Sequence, residues 1–332
     1  MDVVDRPALD GARATRDAGF AGFVRTGATL EMKAFTGVSG DAGGYAVPRE
    51  IDAAIDRLLV AASPIRGVAN VVKVGSSGYR KLVTTGGTPS GWAAEAAPRP
   101  GTATPVFAEI APPAGELYAN PSASQAMLDD AAFDVEAWLA DEIATEFARA
   151  EGQAFVNGSG VDRPRGFLSY PTSDARDGQR AFGTLQHLAS GAAGAFGADP
   201  QERLIDLVQS LRAPYRQGAC FVMNAAVLAR IRKFKTADGA FLWQPSLSAA
   251  QPATLLGYPV IEAEDMPDIA AGSLSIAFGN FRHGYLIADR AETAILRDPY
   301  SNKPFVGFYA TKRVGGCVAN SEAIKLMKFA AA

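Results

Sequence analysis

Residues 134–158 read DVEAWLADEIATEFARAEGQAFVNG. Val135, Trp138, Leu139, Ile143, Phe147 and Phe155 recur here at three- and four-residue spacing, which puts them on one face of an α-helix. Asp134 stands where an N-cap belongs, Glu136 lies in the first turn where a negative charge suits the helix dipole, and Asn157-Gly158 ends the pattern. The spacing predicts one helix over 134–156, roughly 35 Å long at about 1.5 Å per residue. A helix of that length spans a small domain and can serve as a beam. A shorter helix around Ser124 to Asp129 precedes it.

Upstream of the beam, residues 68–120 change character. Val71, Val72 and Val74, then Tyr79, Leu82 and Val83, then Val106, Phe107 and Ile110, then Leu117 and Tyr118 read as strands. Between them lie Gly75 to Gly78, Gly86-Gly87 and the proline-rich stretch Pro98 to Pro113. Such a length with so few large side chains is unusual inside a compact domain. It reads as an extended two-stranded flap that needs a surface outside its own domain to lie on. Further upstream, Ile51, Ile55, Leu58 and Leu59 mark a compact helix that ends before Pro64. Residues 1–44 hold scattered large apolar groups, Phe20, Phe23, Val24, Leu30 and Phe35 among them, too few to form a core, and end in the glycine-rich run Gly37 to Gly44, so they read as an arm.

Downstream, residues 159–198 read as loops with one short strand near Gly166 to Tyr170. A second block opens at Asp199-Pro200-Gln201-Glu202, which reads as a capping box with proline at the first helical position. Leu204, Leu207, Val208 and Leu211 give that helix its buried face, and Pro214 limits it. Cys220 to Met223 reads as a short buried strand, and Asn224 caps a helix carrying Val227, Leu228, Ile231 and Phe234. Later strands are predicted at 259–261, 274–278, 284–288, 293–296, 305–314 and 323–329. The pattern is α+β without regular βαβ alternation.

Composition narrows the function. The chain has 332 residues, is 48% apolar and carries a formal charge of -3, so nothing marks a dedicated polyanion binder. Its basic cluster, Arg230, Arg232, Lys233 and Lys235, reads as a solvated or intersubunit face more than a DNA grip. No run approaches the ~20 apolar residues of a membrane helix, and the N-terminus lacks a secretory pattern, so a soluble cytoplasmic product is expected. The two cysteines, Cys220 and Cys317, lack CxxC spacing and read as buried thiols. With only His187 and His283 as histidines, a metal site is not expected, nor is a cofactor. P-loop, GxSxG and HExxH motifs are absent, and Asp129-Asp130 and Asp141-Glu142 sit at adjacent helix positions that do not face each other. What remains is an arm and a flap, both poor in core residues, attached to segments with good cores. Such pieces bury enough area to order only on a neighbouring copy, which points to a lattice-forming subunit.

One ordered set of motifs carries a family likeness: Gly43-Gly44-Tyr45-Ala46-Val47-Pro48, Ser63-Pro64-Ile65-Arg66, Trp92-Ala93-Ala94-Glu95, Ser124-Gln125-Ala126-Met127-Leu128-Asp129-Asp130, and Glu151 to Gly158 followed by Pro164-Arg165-Gly166-Phe167-Leu168. Together they resemble the major capsid family of tailed phages, whose fold is named after phage Hong Kong 97, and most of all its prophage and gene-transfer-agent branch. The likeness runs from about Phe35 to the C-terminus. It implies an N-terminal arm at 1–44 and a peripheral domain at 45–198, with the spine helix at 134–156 and the extended β-hairpin loop at 68–120. It also implies an axial domain at 199–289, a return to the peripheral domain at 290–320 and a final axial strand at 321–332. Hexamers and pentamers would close into an icosahedral shell around double-stranded DNA, contacted weakly and without sequence preference. Portal, scaffold, protease and head-decoration proteins are the other implied partners. Lys81, Trp92, Glu95, Arg99, Arg230 and Lys233 are the expected intersubunit contacts.

Two departures bear on chemistry. Some family members join subunits by a Lys–Asn isopeptide bond promoted by a Glu, but the corresponding positions here fall near Pro304 and Thr311-Lys312. Lys73 and Lys81, with Asn302 and Asn320, leave room for a shifted pairing, yet no crosslink is expected. Many members also carry a long scaffold segment that is cleaved off, whereas about forty residues precede Gly43 here. An encapsulin-type compartment is an alternative on the same fold, and a soluble enzyme with an unrecognised site is a remote one.

Overall fold

The computed structural model describes residues 63–75, 79–84, 90–93, 101–102, 104, 106–130, 135–235 and 254–331. The arm, the helix around Ile51 to Leu59, Glu95 and Arg99 lie outside the described residues. The chain forms two compact units: one contains residues 117–146 and 292–312, the other residues 59–116, 147–291 and 313–332.

The larger unit is built on a seven-stranded mixed sheet. Its strands, in chain order, are β6 (Thr172–Ser173), β7 (Leu185–Ala189), β10 (Cys220–Met223), β11 (Thr254–Leu255), β12 (Tyr258–Glu262), β13 (Ile276–Gly279) and β16 (Ile324–Lys328), arranged β11-β12-β10-β13-β16-β7-β6. Alternate residues of the central strands enter two different cores. Cys220, Val222, Ala277, Ile324 and Leu326 pack on one face with Ile65, Phe155, Phe167, Phe281 and Tyr285. Phe221, Met223, Ile276, Phe278 and Met327 pack on the other with Leu204, Leu207, Val227, Leu228 and Ile231. This two-sided burial explains why 220–223 is an unbroken apolar run instead of an alternating one.

Helices cover both faces. The second core receives α4 (Pro200–Ser210) and α6 (Ala225–Arg232), and the first receives α1 (Pro64–Val68), α7 (Phe281–Gly284) and the end of α3 (Val135–Asn157). A short helix, α5 (Ala213–Arg216), lies between α4 and β10. Asn224 caps α6 as its sequence predicts, accepting a hydrogen bond from the Val227 amide at 2.8 Å.

The same unit contains β1 (Asn70–Val74), β2 (Lys81–Thr84) and β3 (Phe107–Ile110), with β8 (Gly191–Ala192) and β9 (Ala195–Phe196) as a small hairpin. β1 pairs in parallel with the first part of β14 (Tyr285–Asp298), from Asn70 opposite Leu286 to Val74 opposite Arg290. In the smaller unit β5 (Ser122–Ser124) pairs antiparallel with the start of β15 (Phe305–Val318), and α2 (Gln125–Asp130) follows it. Val306 and Phe308 on β15 face Leu128, Val135 and Leu139 to form that unit's core. β4 (Ala114–Ala119) is the neighbour of β15 in the strand order β1-β14-β15-β4.

Several sequence expectations change. Pro64 opens α1, where its fixed φ and missing N–H suit a first helical turn, and the helix expected before it lies outside the described residues. Phe167–Ser169 is a 3-10 turn, and the strands of the 159–198 segment are β6 to β9; β6, β8 and β9 are two residues each, too short to show a strand period. Residues 285–288 and 293–296 belong to the single strand β14, whose Asp289 is met by Arg66, while Gly284 ends α7 instead of starting a strand. The Asp199 side chain makes no cap hydrogen bond, although Pro200 does begin α4. Finally, α6 stops at Arg232, so Lys233 is its C-cap and Lys235 lies beyond it; the four cations do not share a helix.

Candidate assembly surface

The flap resolves into a root and a ribbon. β1 and β4 belong to the strand order of β14 and β15, so the free part starts after Val74 and ends before Ala114, shorter than the 68–120 segment marked out by composition. Within it β2 and β3 form an isolated antiparallel pair, Lys81 opposite Ile110 and Thr84 opposite Phe107. Alternation gives the ribbon two faces. Val83 and Ile110 turn inward and meet Val72, Tyr79, Leu286, Cys317 and Ala319. Leu82 and Phe107, 68% and 62% exposed, turn outward on the opposite face, and Val106 and the fully exposed Trp92 lie on the connecting segment. Leu82 and Phe107, on the same ribbon face, form an exposed apolar surface of the kind that contacts between proteins use.

The ribbon's root is held by charge. Arg66 of α1 reaches Glu151 of α3 through Nε and Nη2, at 3.0 and 2.6 Å, and Asp289 of β14 through Nη1 and Nη2, at 2.5 and 3.0 Å. Burial opposes the guanidinium charge, but the two carboxylates outweigh it and raise its pKa. The cluster ties Ser63-Pro64-Ile65-Arg66 to Glu151, two motifs that are separate in sequence. Close backbone approach does similar work elsewhere: a side chain at Gly166 would collide with the Val156 carbonyl at 2.3 Å, and one at Gly115 with the Asp162 carbonyl at 2.1 Å. Arg313 on β15 pairs with Glu116 on β4 at 2.7 Å beside a surface hollow lined also by Asp162 and Arg290.

Of the expected contact residues, Lys81 is half-buried on β2 and Trp92 projects from the flap, while Arg230 and Lys233 are exposed at the end of α6, a separate element. The exposed Leu82 and Phe107 were missed as surface groups; their alternation against Val83 and Ile110 is the signal that reveals them. A second group missed from sequence is buried. Lys325 of β16, fully enclosed, donates to Asp177 at 2.5 Å and to Gln186 at 2.8 Å, and Asp177 also pairs with Arg180. Burial pushes the Lys325 ammonium down to about 8, despite the pull of Asp177. Burial likewise pushes Cys220 and Cys317 up to about 12. Among the described residues no cluster of His, Cys, Asp or Glu could hold a metal ion. The isopeptide alternatives are engaged elsewhere in one case: the Asn320 amide donates to the Tyr215 hydroxyl at 2.8 Å and its carbonyl accepts from the Glu322 amide.

An exposed apolar ribbon face on a root held by buried charge is suited to building by contact with another surface. Residues 43–329 match the phage capsid family, and the chain belongs to that family. Among solved structures it is similar to the capsid of the empty GTA (gene transfer agent) particle, at 46% identity and a TM-score of 0.75, over 92% of this chain and 98% of that one. The capsid of the native GTA particle matches at the same identity and TM-score, over 92% and 99%. Mycobacterium phage Cain, at 15% identity and a TM-score of 0.55 over 81% and 90%, shares the fold, so the α+β capsid fold of Hong Kong 97 type is that of this chain. A comparison with curated protein sequences finds no match.

Proposed function

We propose that this chain is the major capsid protein of a gene-transfer-agent-type or tailed-phage particle, a structural subunit that assembles as hexamers and pentamers into an icosahedral shell around double-stranded DNA. The observation that carries the reading is the 46% identity to the GTA capsid over nearly the whole of both chains. The ribbon geometry supports it independently, because Leu82, Val106, Phe107 and Trp92 leave water only when another subunit covers them. On this reading residues 134–156 are the spine and 68–120 the extended loop of a peripheral domain at 45–198 that returns at 290–320, and 199–289 with 321–332 the axial domain. Lys81, Trp92, Glu95 and Arg99 contact the adjacent copy through the loop, and Arg230 and Lys233 contact it from the end of α6. The shell forms in the host cytoplasm with a portal and with scaffold, protease or decoration proteins as partners, and touches DNA weakly.

The encapsulin-type alternative is weaker. The particle capsid matched at 46% identity over nearly the whole of both chains is that of a GTA. Negative-stain electron microscopy across a size-exclusion profile tests the proposal. Closed shells or pentameric and hexameric rings are expected, and a monomer at every salt and protein concentration, with scaffold supplied, overturns it.

A further inference from the structure

Asp177, on the segment between β6 and β7, gathers more cations than its single charge balances. Its Oδ1 accepts from Arg180 Nη2 and, at 2.5 Å, from Lys325 Nζ, while Arg212 Nε stands 3.5 Å from Oδ2. Arg212 also reaches Glu322 at 3.0 Å, and Lys325 donates to Gln186 at 2.8 Å. Three cations, Arg180, Arg212 and Lys325, therefore face two carboxylates, Asp177 and Glu322. The centre of the cluster is interior: the side chains of Arg180, Asp177 and Lys325 are 3%, 7% and 0% exposed. Arg180 Nε and Nη1 are buried and have no hydrogen-bond partner among the described residues. Arg66 offers the contrast, since two carboxylates meet it through four hydrogen bonds. Arg180 bonds to one carboxylate, and burial pulls its guanidinium below the ordinary value in spite of Asp177 and Glu322. A buried cationic donor left unpaired is costly and is ordinarily met by an ion or an ordered water.

We infer that Arg180, with Arg212 and Lys325 beside it, holds a compact monovalent anion of the chloride class inside the subunit. The excess of one positive charge sets the charge of the ligand: a dianion such as sulfate would exceed it and face Asp177 and Glu322. Enclosure sets its size, because side chains this buried favour a bare ion over a larger organic acid. Water satisfies a donor but leaves the excess charge uncompensated, whereas an anion does both.

Melting the full chain in sodium chloride against sodium gluconate, at constant ionic strength so that screening is equal, tests the site. Chloride should raise Tm by about 3 °C or more with saturation, and bromide should replace it. In Arg180→Met two cations face two carboxylates, so this variant should melt in gluconate at or above the wild-type temperature and lose the chloride response. The nuclear resonance of chloride should broaden with the folded wild-type chain and keep its free-ion width with Arg180→Met, a readout that does not depend on stability. If Arg180→Met fails to fold, the wild-type titration and line width decide alone. Equal wild-type Tm in chloride and gluconate overturns the proposal and leaves water as the partner of Arg180. An equal chloride response in Arg180→Met, or no broadening by the folded wild-type chain, overturns it as well.

Discussion

Arg66 and Lys325 show how single buried charges shape the subunit in opposite ways. Arg66 is matched by two carboxylates, so Arg66→Met strands Glu151 and Asp289 without their cation. The expected loss is about 3–5 kcal/mol in chemical denaturation, the cost of an uncompensated buried charge. Lys325 is held with its pKa pushed down to about 8, below its ordinary 10.5, so between those pH values the unfolded chain binds more protons than the folded one. Stability from this group therefore rises with pH across that window, by on the order of 1 kcal/mol per unit, and is flat in this respect below about 8. Thermal melts of Lys325→Met should lose that rise relative to wild type; an unchanged slope would show that another group causes it. Cys220 and Cys317, pushed up to about 12 by burial, stay protonated at neutral pH. Thiol reagents should leave both unmodified in the native subunit and label both in denaturant.

Elements divide into those made by their own sequence and those made by neighbours. The helix at 134–156 was legible because its apolar period is long and its ends carry stop signals, and it is observed as Val135–Asn157. The strand at 185–189 was not legible, because Gln186, His187 and Leu188 have no period of their own and pair only once β16 lies beside them. The ribbon stands between these cases. Its strands were visible in Leu82-Val83 and Phe107 to Ile110, yet which face points outward depends on Val83 and Ile110 meeting Leu286 and Cys317. Deleting residues 86–100 should leave both units folded, with circular dichroism and Tm near wild type, and abolish shells in the microscope. Normal particles from that deletion would show that the loop is not an assembly element.

Across the whole molecule, well-packed cores accompany a ribbon whose Leu82 and Phe107 stay exposed. Because the isopeptide positions fall near Pro304 and Thr311-Lys312, assembled particles boiled in denaturant should run as the single chain on electrophoresis. A ladder of linked species would mean that Lys73 or Lys81 has found an acceptor. The sequence alone determined the α+β class, the beam, the buried strand at 220–223 and the uncovered flap, since local period and the lack of large side chains are properties of neighbouring residues. It also held the ordered motifs from Gly43 to Leu168. Only the tertiary structure decided that Arg66 meets Glu151 and Asp289, that Lys325 is enclosed with Asp177, and that β14 runs unbroken through Asp289. Those outcomes depend on partners 85, 223 and 148 residues apart, and no local pattern encodes which distant charge a side chain will meet.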